Sequence, residues 1–108
     1  MCFFKKKKSV ANSEDRELIE SNSKSVDALI VLAGDNSEYI KDLQELKEKL
    51  KYLMPSPDSK ILDYDKKIKN NLDDMRIALT KADGEESKKV DRYFTDIKLL
   101  IADRNARI

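Results

Sequence analysis

Asp65 stands between Ile61 and Ile68 in a run where every other seam position is apolar, so it is the residue whose type and place could do chemistry. A carboxylate projecting into a helical bundle can hold a ligand or a metal. It can equally serve as a register-setting polar contact, paired with Lys69 one turn on or with a neighbouring helix. Arg104 is the second polar residue at such a position, after Ile97 and Ile101. Near the end of its helix it is expected to lie past the packed core, covering apolar surface with its stem while its charge stays in water. A phosphate or acidic-partner contact through Arg104 and Arg107 is the functional counterpart.

Other chemistry is scarce. The chain of 108 residues has no histidine, which removes the imidazole base, the Ser/His and Cys/His couples and the Glu-x-x-His pair of di-iron bundles. Carboxylate neighbours such as Asp63 and Asp65, or Asp73 and Asp74, point to different parts of a helix surface and do not readily share a metal. With Gly34 and Gly84 the only glycines, no phosphate-cradling loop exists. No catalytic, cofactor-binding or metal-ligating residue is therefore assigned, and no cofactor is expected. The single thiol, Cys2, cannot close an intramolecular disulfide and reads as an incidental thiol in a reducing compartment.

The N-terminus is the exception. Phe3 and Phe4 precede Lys5, Lys6, Lys7 and Lys8, and no acid occurs in residues 1–10. Two aromatics beside four lysines suit weak contact with an anionic membrane, with Cys2 a candidate for acylation. The competing reading docks Phe3 and Phe4 on the bundle while the lysines keep a flexible end soluble. Residues 11–108 carry a net charge of −3 within a total of +1, so no global basic field draws specific nucleic acid. No apolar core follows the lysines to make a signal peptide, and the longest apolar run, Ala28 to Ala33, is too short to span a bilayer. These features place the protein in the cytoplasm, at the inner face of the membrane if the N-terminus binds there.

The elements that must position these residues are helical. Charged residues make up 40% of the chain, and it holds only 2 Gly and 2 Pro, a composition of helices with solvated outer faces. Residues 1–12 read as a flexible basic and aromatic tail and 13–108 as one helical domain. Glu14, Asp15 and Glu17 look like first-turn acids of a helix whose dependable part begins near Ser25. Tyr39, Leu43, Leu46, Leu50 and Leu53 repeat at spacings of 4, 3, 4 and 3, and the same phase steps back through Asn36 to Leu32 and Leu29. That continuity favours one helix over roughly 25–53 that passes through Gly34. Pro55 and Pro57 mark a turn, with Ser56 as the cap of the next helix. Ile61, Asp65, Ile68, Leu72, Met75 and Leu79 follow at the same spacing up to Asp83-Gly84, where Gly84 suits a left-handed cap, and Val90, Phe94, Ile97, Ile101 and Arg104 carry the last helix. The expected fold is an all-α, up-down-up antiparallel three-helix bundle, with a four-helix bundle turning at Gly34 as the alternative.

Tyr52-Leu53-Met54-Pro55, with Ile61-Leu62, Tyr64 and Asp96-Ile97, resembles the helix, Tyr-Leu-Pro turn and helix of a bacterial family named for 5-bromo-4-chloroindolyl phosphate hydrolysis. The likeness covers about half the chain, Met54 departs from the Tyr-Leu-Pro order, and no function is carried across. Long leucine seams without catalytic groups imply a non-enzymatic interaction or scaffold module that packs on a protein partner or on itself. The competing class is a small-ligand or metal-binding bundle, or an enzyme, built on interior Asp65.

Overall fold

In a computed structural model the backbone is described for residues 2–34, 38–81 and 84–107, and the side chains for 14–34, 38–81 and 88–107. Four helices form: α1 (Cys2–Ala33), α2 (Ile40–Lys51), α3 (Ser59–Lys81) and α4 (Gly84–Arg107), with no strand among the described residues. The all-α class stands, but the three-helix arrangement does not. The continuous helix through Gly34 is replaced by two antiparallel ones.

The reason is local. Gly34 has φ of 77° and its N–H donates to the carbonyl of Ile30 at 3.1 Å, the bond of a left-handed cap that closes a helix. The apparent phase continuity was a coincidence of stitching steps of three and four. Leu32, on the back-projected seam, is 46% exposed, whereas the seam of α1 runs through Val26 and Leu29 to half-buried Ala33. Past the turn, the carbonyl of Tyr39 accepts the Leu43 N–H at 2.9 Å, and the Tyr39 ring stacks on Phe94 with centroids 6.1 Å apart, tying the start of α2 to α4.

The segment 53–58 crosses one end of the bundle. Here too the boundary moves. Asp58, not Ser56, caps α3: its Oδ1 accepts the Lys60 N–H at 2.9 Å, and its own N–H donates to Ser56 Oγ at 3.2 Å. Gly84, expected as the left-handed end of α3, is instead the first residue of α4, and Asp83 lies outside the described residues.

α1 packs on α2 and α3, and α3 packs on α4. Their directions alternate up, down, up, down. Asp15 and Asn22 of α1 meet Ser56 and Asp65 in the same chain order, while Arg104 of α4 returns to the level of Asp65. The expected core assembles, with Leu29, Leu43, Leu46, Leu50, Ile61, Ile68, Leu72, Met75, Val90, Phe94, Ile97 and Ile101 buried. Leu79 is only partly buried, and Ala78 takes the fully buried place beside it.

No heavy atom lies within 4 Å of a Cβ built on Gly34, so Gly34→Ala costs only its left-handed backbone, about 1 kcal/mol. Leu46→Ala, which opens a hole in the core, is expected to cost about 2–5 kcal/mol. Urea denaturation of the two variants checks both values, and equal losses would contradict this assignment of the turn.

Candidate functional site

Read through its polar positions, the seam of α1 is Asp15, Ile19, Asn22, Val26, Leu29 and Ala33, at spacings of 4, 3, 4, 3 and 4. It joins the α3 seam with Asp65 and the α4 seam with Arg104. The four polar seam residues fall at the same end of the bundle, where the 53–58 segment crosses it. All four are buried: Asp15, Asp65 and Arg104 are 0% exposed and Asn22 is 1% exposed.

The guanidinium of Arg104 is the hub. Its Nε–H donates to Asp65 Oδ1 at 2.8 Å, and its Nη2 donates to Asp15 Oδ2 at 3.2 Å and to the Met54 carbonyl at 2.7 Å. Asp15 Oδ2 also accepts the backbone N–H of Ser56 at 2.7 Å. Asn22 Nδ2 donates to the backbone carbonyl of Asp65 at 3.1 Å. One residue on α4 thus binds α1, α3 and the crossing segment together. Arginine suits the place because its planar fork reaches several acceptors and keeps its charge when buried.

The electrostatics are unbalanced, with two buried carboxyl groups sharing one guanidinium. Burial, followed by the hydrogen-bonded carboxyl of Asp15, pushes the Asp65 carboxyl up to about 7 from its ordinary 3.8, against the opposing pull of Arg104.

One expectation is overturned here, and one alternative is decided. Arg104 does not lie past the core with a wet charge; it is fully enclosed because Asp65, Asp15 and the Met54 carbonyl replace its water. Asp65 does not pair with Lys69 one turn on. Lys69 binds Asp73 at 3.3 Å on the surface, and Asp65 takes the neighbouring helix. Asp15, read as a first-turn acid, is a buried ligand of Arg104 well inside a helix that begins at Cys2. It and Asn22 are the residues that composition concealed. The signal for them was the 4, 3, 4 spacing itself, which continues unbroken through their polar side chains.

Asp15 Oδ1, Asn22 Oδ1, Asp65 Oδ2 and Arg104 Nη1 are buried without a hydrogen-bond partner among the described residues. Among the described residues, no group of three or more His, Cys, Asp or Glu is placed to hold a metal. Open grooves lie elsewhere: one of about 410 Å³ between α3 and α4 around Asn71 and Leu100, and one of about 420 Å³ between α2 and α4 around Tyr52 and Ile101. Neither is lined by Asp15, Asn22, Asp65 or Arg104. Tyr52 is 72% exposed with the Lys51 ammonium 5.9 Å from its ring centre, while Tyr39 is buried and Tyr64 and Tyr93 are half-buried. The membrane-contact candidates Phe3, Phe4, Lys5, Lys6, Lys7 and Lys8 lie on the helical backbone of α1, but their side chains, and that of Cys2, are outside the described residues. Among the described residues, no helix is long and apolar enough to cross a membrane.

Removing the hub leaves two buried carboxyl groups without a counter-charge. Arg104→Met is therefore expected to cost about 3–5 kcal/mol at pH 7. Protonation of Asp65, whose carboxyl burial raises, removes part of that charge, so the deficit shrinks at pH 5. Urea denaturation at the two pH values measures this, and a deficit below 1 kcal/mol at pH 7 would show that the cluster is not under electrostatic tension.

Comparison of the chain with protein-family models, with curated proteins and with solved structures finds no match.

Proposed function

We propose that the protein is a non-enzymatic helical interaction module, a bundle that offers its outer surface to a protein partner or to a second copy of itself. The observation that carries this reading is the engagement of Asp65, the one interior group on which a ligand-binding or enzymatic reading rested. Its Oδ1 is held by Arg104 at 2.8 Å and the residue is fully buried. Asp15 and Asp65 are both bound to Arg104 inside the bundle, which supports the outer surface as the part that meets other molecules. That surface is charged, with apolar side chains standing out at Val31 (82% exposed), Tyr52 and Met54. Such residues become contact points when a partner covers them.

Light scattering across a hundredfold range of protein concentration tests self-association. A mass that rises with concentration, and falls back in Val31→Asp or Met54→Asp, supports contact between copies. A constant monomer mass directs the search to a different protein. Stabilisation of the bundle by a metal ion or metabolite, lost in Asp65→Ala but retained in a surface variant, would overturn the module reading in favour of the ligand-binding class.

A membrane-peripheral role is favoured by one sequence feature, the run Phe3-Phe4-Lys5-Lys6-Lys7-Lys8 with no acid beside it. Each lysine near an anionic surface contributes about 1 kcal/mol. The expected location is then the cytoplasm, at the inner face of the membrane. Full-length protein is expected to co-sediment with anionic vesicles at low salt and to be released at high salt. Loss of binding on deletion of residues 1–8 assigns the contact to that run, and equal binding by both forms removes it.

A further inference from the structure

We infer that the junction of α1, α3, α4 and the 53–58 segment contains a proton-binding site, in which a proton taken from solvent sits on Asp65 facing Asp15 and holds that end of the bundle closed.

The argument begins with unsatisfied atoms. Asp15 Oδ1, Asp65 Oδ2, Asn22 Oδ1 and Arg104 Nη1 are buried and have no hydrogen-bond partner among the described residues. Three of these four are acceptors, and two belong to the carboxyl groups that bind the same guanidinium. Two ionised carboxylates cannot hydrogen-bond, since each offers only lone pairs. One proton changes this: it makes one carboxyl a donor to the other and brings the buried charge of Asp15, Asp65 and Arg104 from −1 to zero. Unpaired buried charge is the costliest component such a site can hold.

The proton belongs on Asp65 rather than Asp15. Asp15 Oδ2 already receives two N–H donors, from Ser56 and from Arg104 Nη2. Asp65 receives one side-chain donor, Arg104 Nε. The upward displacement of its carboxyl to about 7 agrees with this assignment.

Among the described residues, the surroundings supply no other neutralising charge: α1 presents Asp15 and the neutral Asn22, and α4 presents Arg104. The crossing segment presents only the Met54 carbonyl and the Ser56 amide. From α2, the buried residues are the apolar Leu43, Leu46 and Leu50. On α3 itself Lys66 and Lys69 are exposed, and they face Glu14 and Glu17 across an open surface groove between α1 and α3. They are solvated and screened there.

The direction of the pH effect follows. Asp65 releases its proton near 3.8 in the unfolded chain and near 7 in the fold, so the folded state holds one proton more between those values. Stability therefore falls as pH rises through that window. Between pH 5 and pH 8 the folding equilibrium constant is expected to drop by about 50- to 100-fold, from roughly tenfold per pH unit up to the folded value.

Three measurements on the full chain test this. In the native protein, the side-chain carboxyl carbon of Asp65 is followed by NMR from pH 4 to 9. A midpoint between 6 and 8 is expected, and one below 5 overturns the proposal whatever any variant does. Urea denaturation at pH 5 and pH 8 should show the drop in the native chain. Asp65→Asn, whose amide copies the protonated carboxyl and donates to Asp15 permanently, should abolish the drop and match or exceed the native chain at pH 8. A native chain with equal stability at both pH values, or a variant that keeps the native drop, also overturns it. Amide exchange over residues 15–22, corrected for intrinsic base catalysis, should accelerate between pH 6 and 8 in the native chain alone. Equal acceleration in Asp65→Asn would remove the proton from the closure of that end.

Discussion

A fully buried guanidinium between two fully buried carboxyl groups organises this structure. Arg104 gives up its hydration and regains it as directed bonds to Asp65, Asp15 and the Met54 carbonyl, which come from α3, α1 and the crossing segment. Such an interaction is a poor source of net stability, because desolvating the ions costs about as much as their attraction returns. Its strength lies in exclusion. Sliding any one helix by a turn would strand a charge in hydrocarbon, so the cluster fixes the register of helices whose leucine seams alone would tolerate several.

The crossing segment shows why the charges are needed at that end. Pro55 and Pro57 interrupt the helices and lack N–H groups, so the backbone between α2 and α3 cannot satisfy itself by helical hydrogen bonds. Buried backbone groups must find partners. Arg104 accepts the task for the Met54 carbonyl, and Asp15 does so for the Ser56 N–H. A helix break that would otherwise fray is thereby sealed by side chains from α1 and α4. At the opposite end Gly34 closes α1 by its own backbone, and the Tyr39 ring against Phe94 packs the start of α2.

The described polar groups of the interior bind one another across α1, α3, α4 and the crossing segment. Because Asp15 ties α1 to the rest of the bundle, it also sets where the preceding turns of that helix emerge. The junction and the basic run Lys5–Lys8 lie on one continuous helix.

Helical class, the seams of α2, α3 and α4, the turn near Pro55 and nearly all core residues were determined by local sequence, because a 3.6-residue period records which face is buried. The anomalies at Asp65 and Arg104 were legible for the same reason. Their partnership was not: the pair is separated by 39 residues, and Arg104 and Asp15 by 89, distances over which spacing carries no information. Nor could periodicity decide Gly34, since a glycine inside a helix and one at its left-handed end leave almost the same pattern, and steps of three and four can be joined across a turn. Asp15 and Asn22 stayed hidden because polar residues on a seam look like solvent-facing ones until another helix covers them. Only the packing of α4 against α3, from which Arg104 reaches Asp15 of α1, supplied the counter-charge that makes the burial of Asp15 tolerable.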